Sequence, residues 1–146
     1  MPALTRWCIR AALVNLVVAL VLGVGLELGA ALLGSGWPGL SAARPVFYHL
    51  LMLGGVAQFI FGVAWWMFPP LSRTRPRGPE GLGWVGFGLL NGGLALRAVA
   101  EPVAALDPQP WARATLILGA LSLTLAGWIF AGLLWPRIRG RPGKEN

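Results

Sequence analysis

The amino-acid sequence predicts an all-α, polytopic membrane protein, a single domain built as a bundle of four transmembrane helices. Charged residues make up only 12% of the 146-residue chain, about half their share in a soluble domain. Hydrophobic residues make up 56%, and they are gathered in four long segments separated by stretches rich in Pro and Gly. Because so few charges cannot cover a water-exposed surface, an ordinary soluble fold and a disordered chain are both excluded.

Each predicted helix has the length that a bilayer requires, about 20 mostly apolar residues. The first segment lies where a signal peptide would lie. However, its apolar stretch is too long for one and no clean cleavage site ends it, so we expect a true span. Turn signals rich in Gly and Pro fill the connections 34–39, 69–81 and 102–110. The four predicted spans cover residues 7–33, 46–68, 82–100 and 112–135.

The basic residues predict the orientation of the chain. Four spans bring nine of them to one side: Arg6, Arg10, Arg73, Arg75, Arg77, Arg137, Arg139, Arg141 and Lys144. Since basic flanks stay inside, we expect a cytoplasmic (inner) membrane protein with both termini in the cytoplasm. The net charge is +7, yet these residues flank apolar runs and form no groove. We therefore expect the lipid bilayer as the surroundings and no nucleic-acid partner.

Small residues at i and i+4 recur in the spans. Gly25 with Gly29, and Gly88 with Gly92, form GxxxG patterns. In lipid, such residues allow two helix backbones to approach closely. We expect them to pack helices within the bundle, ahead of a dedicated dimer contact.

Polar residues within the spans are the functional candidates, because an unpaired charge there is costly. They are Glu27, His49, Gln58, Asn91, Arg97 and Glu101. At 1.5 Å per residue, three helices place titratable groups at similar depth in the outer half. We therefore expect Glu27, Arg97 and Glu101 to lie together beside His49. Gln58 and Asn91 are expected to form hydrogen bonds between helices.

The second span has two faces at 100° per residue. One stripe carries His49, Met52, Leu53, Val56, Ile60, Val63 and Met67, and the opposite face carries Gly54, Gly55, Gln58, Gly62 and Trp65. An imidazole above an apolar wall suits the iron and macrocycle of a haem. The plain alternative is a core His hydrogen-bonded to a neighbour. Likewise, Arg97 either pairs with Glu101 at i,i+4 or holds an anionic group such as a haem propionate.

The second and third spans resemble a known family. Residues 49–69 carry an outer-side His, a Gly pair, Gly-Val-Ala before an aromatic residue, and a final Pro; residues 82–97 continue with Leu-Gly-Trp, Asn91-Gly-Gly-Leu and Arg97. This pattern resembles subunit I of the haem-copper oxidase superfamily, including the C-family cytochrome c oxidases, the nitric oxide reductases and the NnrS proteins. The resemblance covers residues 46–97.

The resemblance implies that His49 is an axial ligand of a low-spin haem, here a haem b. The copper-site histidines of the family have no counterpart, because the chain has one His, so we expect neither a complete terminal oxidase nor an enzyme. Our first hypothesis is electron transfer or redox sensing. In this hypothesis the histidine of a second copy is the other axial ligand of the iron in a homodimer. The alternative is a haem-free accessory or assembly protein of a respiratory complex. A transporter or metal-handling protein using Glu27, His49 and Glu101 is disfavoured, because no span has a central Gly/Pro break.

Overall fold

The computed structural model describes residues 1–34, 37–71 and 76–138. Every regular element within this part of the chain is helical, and four helices are long and apolar enough to cross a membrane. They are α1 (Ala3–Leu33), α2 (Pro38–Met67), α3 (Glu80–Leu106) and α4 (Pro110–Ile138). The predicted all-α fold with four potential spans is confirmed.

All four helices are longer than the predicted spans. At 1.5 Å per residue they measure about 40–46 Å, which covers the headgroup layers as well as the hydrocarbon core. The start of α2 moves from residue 46 to Pro38, because proline is well suited to the first position of a helix. The predicted 102–110 loop is shorter than expected, since α3 continues through Pro102 to Leu106.

The second helix joins two pairs of helices. It packs along α1 on one side, while α3 packs along α4, and α2 contacts the second pair near both of its ends. At the end where α1 begins, Leu4, Trp65 and Leu134 belong to one buried cluster; we call this the terminal end. We call the opposite end of the bundle the loop end. There, Val46 and Leu50 of α2 pack with α1 and α3.

Glycines on α2 create its close contact with α1. A Cβ added to Gly54 would lie 2.9 Å from Cβ of Asn15, and one added to Gly62 would lie 2.9 Å from Cβ of Cys8. A side chain at either position would therefore push the two helices apart. The glycine face of the second span is thus a packing surface within the bundle.

The GxxxG pattern of α3 does not pack the bundle, and that prediction is wrong. A Cβ added to Gly88 or Gly92 would meet no atom within 4 Å, and the same holds for Gly25 of α1. Only Gly29 approaches a neighbouring side chain, that of Leu40. A GxxxG pattern identifies small residues but not the side on which the partner lies. The buried face of α3 uses other glycines: Gly83, Gly86 and Gly93.

Arg137 ties the end of α4 to the end of α2. Its guanidinium donates hydrogen bonds to the backbone carbonyls of Pro69 (3.0 Å), Trp65 (3.2 Å) and Phe68 (2.6 Å). It also lies over the Trp65 ring, 5.8 Å from the centroid. The last carbonyls of a helix have no partners within the helix, so Arg137 satisfies those of α2. The sequence predicts only a topology signal at this residue.

The middle of α2 is a π-helix from Leu50 to Ala57. A π-turn contains more residues than an α-turn, so it rotates the residues before it relative to those after it. It also changes the hydrogen bonding of its backbone carbonyls. The carbonyl oxygen of Gly54 accepts a 3.5 Å hydrogen bond from Nδ2 of Asn15. A stripe drawn at 100° per residue therefore cannot continue unchanged across this segment.

Candidate ligand site at His49

Three titratable side chains meet between α2 and α3 near the loop end. Oε1 of Glu101 lies 2.7 Å from Nε of Arg97 and 3.1 Å from Nδ1 of His49. Arg97 and Glu101 are four residues apart and so share one face of α3. The predicted pair of Arg97 and Glu101, and its position beside His49, are confirmed.

The contacts of His49 define its tautomer. Nδ1 lies 2.8 Å from the carbonyl oxygen of Pro45, one turn earlier, as well as 3.1 Å from the Glu101 carboxylate. The Pro45 carbonyl oxygen can only accept a hydrogen bond, so Nδ1 carries a proton and donates it to that oxygen. In the neutral imidazole the lone pair then lies on Nε2, which makes no hydrogen bond with the described residues. A neutral imidazole held in this way is suited to bind a metal through Nε2.

Glu101 is the buried member of this cluster. Its side chain is 6% exposed, against 29% for His49 and 21% for Arg97. Oε1 carries both contacts, whereas Oε2 is buried without a partner among the described residues. A carboxylate this deep requires neighbouring charge or hydrogen bonds. Arg97 supplies both, so the carboxylate can hold the imidazole without remaining an uncompensated charge.

Glu27 does not belong to this cluster, so that part of the prediction is wrong. Its side chain is exposed, and it lines a groove between α1 and α2 with Arg44. Residue counting gives the depth of Glu27 along its helix but not its direction. The residue of α1 that turns inward here is its neighbour Leu26, and adjacent residues of a helix point about 100° apart.

The apolar stripe below His49 is only partly continuous. Met52, Ile60 and Met67 are 55–68% exposed and face outward, whereas Leu53 packs inward against the contact between α3 and α4. His49 lies at the edge of the outward surface, because its ring turns toward Glu101. His49 lines none of five grooves found on the described surface. One chain thus offers a ligand and an apolar surface, but no enclosed pocket around them.

The side chains available as metal ligands favour a haem over a bare metal ion. No group of three or more His, Cys, Asp or Glu side chains able to hold a metal ion occurs among the described residues. A bare ion would therefore find fewer than three such ligands at any one place among these residues. A haem brings four ring nitrogens to its iron and requires only axial ligands from the protein. The single anchored imidazole of His49 fits that requirement.

A second polar cluster lies midway along the helices. Nδ2 of Asn15 on α1 is 3.3 Å from Oε1 of Gln58 on α2 and 3.4 Å from Oδ1 of Asn91 on α3. The predicted role of Gln58 and Asn91 as hydrogen-bonding residues between helices is confirmed. The sequence prediction omits Asn15, which joins them. An amide in the middle of the apolar first span is the signal that would have identified it.

Comparison with known protein families, curated proteins and solved structures found no match to this chain. The relation of residues 46–97 to the haem-copper oxidase superfamily therefore stays a prediction based on the sequence pattern.

Proposed function

We propose that the protein is a small membrane haem protein whose His49 binds the iron of a haem b through Nε2. The observation that carries this proposal is the position of Nδ1, which donates a 2.8 Å hydrogen bond to the carbonyl of Pro45 and lies 3.1 Å from the carboxylate of Glu101. Histidines that bind metals characteristically donate their other N–H to a carbonyl or a carboxylate. That contact fixes the ring orientation and makes the free nitrogen a stronger ligand.

Arg97 supplies a second element of the proposed site. Its Nε is engaged by Glu101, while its two terminal amino groups make no hydrogen bond with the described residues. A guanidinium has five N–H donors, so Arg97 can hold Glu101 and an anionic group together. In our proposal that group would be a haem propionate, and the exposed side chains of Met52 and Val56 would supply apolar contacts to the haem.

The second axial ligand comes from another copy of the chain in this proposal. The chain has one His, and His49 lies at an open edge of the bundle. Two chains related by a two-fold axis would bring two His49 side chains to one iron and cover the surface that a single chain leaves open. With both axial positions filled, the haem would transfer single electrons and leave no position for a substrate.

The haem content of purified protein tests this proposal. We expect the wild type to bind one haem per two chains. The His49→Ala protein should bind at least about tenfold less haem than the wild type, since no other imidazole can replace the ligand. Met67→Ala is the matched control, because it removes an exposed side chain at the opposite end of the same helix and should retain most of the haem. Wild-type haem content in the His49→Ala protein would overturn the assignment, and one haem per chain would overturn the shared iron.

The second candidate function is that of a haem-free accessory protein of a respiratory complex. The observation in its favour is the outward position of Gly88 and Gly92, which leaves a small-residue surface for a helix of another protein. A colourless protein that co-purifies with oxidase subunits would favour this candidate. Weaker co-purification of a Gly88→Leu variant would then locate the contact on α3.

A further inference from the structure

A groove of about 500 Å³ opens between α1 and α2 at the loop end. Leu20 and Val24 form its apolar part, and Glu27 and Arg44 form its charged part. Gly23 makes room for the ring of Phe47, since a Cβ at this glycine would lie 2.9 Å from Cε2 of that ring. The groove is thus apolar toward the middle of the helices and charged toward their ends.

The two charges of the groove have no partners within the described chain. Glu27 and Arg44 are exposed, and neither takes part in the ion pairs or side-chain hydrogen bonds of the described residues. Arg97 and Glu101, at similar depth, neutralise each other. A charge on a transmembrane helix is costly unless it is paired or reaches the headgroup layer. Glu27 and Arg44 are therefore available to partners from outside the chain.

The depth of both charges corresponds to the base of the headgroup layer. Glu27 lies six residues before the end of α1, and Arg44 lies six residues after the start of α2. At 1.5 Å per residue, each lies about 9 Å from its helix end. Since the helices are about as long as the whole bilayer, this position is close to the boundary between headgroups and hydrocarbon.

We propose that this groove binds one phospholipid whose headgroup carries a primary ammonium, of the phosphatidylethanolamine type. Arg44 binds the phosphate, and Glu27 accepts hydrogen bonds from the ammonium. An acyl chain lies against Leu20 and Val24. Tyr48, at the edge of the groove, occupies the interfacial position that aromatic side chains favour in membranes.

The pair of opposite charges selects this class of lipid. An anionic lipid such as phosphatidylglycerol offers a phosphate to Arg44 but has no cation for Glu27, so the carboxylate would lie unpaired beside another anion. Phosphatidylcholine carries a cation without N–H groups, so it cannot donate hydrogen bonds to Glu27. Only the ammonium lipid among these three satisfies both side chains.

Native mass spectrometry of the detergent-purified full chain tests the proposal. The protein is mixed with each of the three lipids, with matched acyl chains, and the retained lipid is measured as collision energy rises. We expect the wild type to retain phosphatidylethanolamine at least roughly threefold better than the other two lipids, the scale of an exposed ion pair. Glu27→Ala, which removes both the charge and the acceptor, should abolish this preference, and Arg44→Gln should lower retention of all three lipids.

Two control variants distinguish specific lipid binding in this groove from a general effect of removing a charge. Arg113→Gln removes another exposed basic residue at the loop end, on α4, and should leave lipid retention unchanged. Glu80→Gln removes a carboxylate at the terminal end and should preserve the headgroup preference. Equal retention of the three lipids by the wild type, a preserved preference in Glu27→Ala, or an Arg113→Gln effect equal to that of Arg44→Gln would each overturn the proposal.

Discussion

The surroundings of Arg137 differ from those that its position in the sequence suggests. It follows the last span directly, where a positive charge normally faces water and sets topology. Instead, its side chain is 3% exposed and bonded to three carbonyls at the end of α2. No local pattern identifies such a role, because the partners lie about 70 residues earlier in the chain.

Replacing Arg137 should destabilise the fold. Arg137→Gln leaves most of the carbonyls at the end of α2 without a donor, and we expect a loss of about 2–4 kcal/mol in the free energy of unfolding. Denaturant unfolding in detergent micelles measures this change. Arg113→Gln, an exposed control, should lie within about 0.5 kcal/mol of the wild type. Equal stabilities for the two variants would contradict the role of Arg137.

Glu101 should tune the haem that we propose at His49. Its carboxylate makes the imidazole a stronger electron donor, which favours the oxidised iron. Glu101→Gln keeps a carbonyl oxygen for the His49 N–H but removes the negative charge. We expect the midpoint potential to rise by on the order of 60 mV, measured by spectroelectrochemical titration. Glu80→Gln is the control, and an unchanged or lower potential in Glu101→Gln would argue against the anchor.

At the scale of the elements, residue counting along the chain predicts the helices well and the direction of individual side chains poorly. Apolar length correctly predicts four spans, and i,i+4 spacing correctly predicts the contact between Arg97 and Glu101. The π-helix in α2 and the outward direction of Glu27 are not predictable in this way, because both depend on how neighbouring helices pack. For the same reason the sequence identifies Gly88 and Gly92 as small but not as outward-facing.

Glycines that pack against a neighbouring helix and glycines that face outward should respond differently to substitution by leucine. Gly62→Leu places a side chain against Cys8 of α1, and we expect it to cost about 1–3 kcal/mol by overpacking. Gly88→Leu enters open space and should leave the stability of a monomer within about 0.5 kcal/mol of the wild type. Thermal unfolding in detergent compares them. A larger loss from Gly88→Leu than from Gly62→Leu would contradict this packing.

At the scale of the whole molecule, the fold brings the start of α1 and the end of α4 to one end. Leu4 and Leu134 share a buried cluster with Trp65, and Arg137 closes the same end. This arrangement agrees with the four-span pattern that the sequence predicts, whereas the side of the membrane depends on the positive-inside rule alone. The haem-copper resemblance concerns only the two central spans, so it does not predict how α1 and α4 complete the molecule.

Topology can be measured with reporter fusions. We expect reporters placed after Arg77 and at the C-terminus to read cytoplasmic, because nine basic residues flank that side of the four spans. A fusion after Gln109, in the connection between α3 and α4, is the opposite-side control. A periplasmic reading from either of the first two fusions would contradict the predicted orientation.

The reduced-minus-oxidised absorption spectrum of the purified wild-type protein, produced in cells supplied with haem, tests the central claim most directly. An iron with two histidine ligands should give the sharp bands of a low-spin b-type haem, and those bands should disappear in His49→Ala while the variant remains folded. A colourless wild-type protein, or an unchanged spectrum in His49→Ala, would contradict the account.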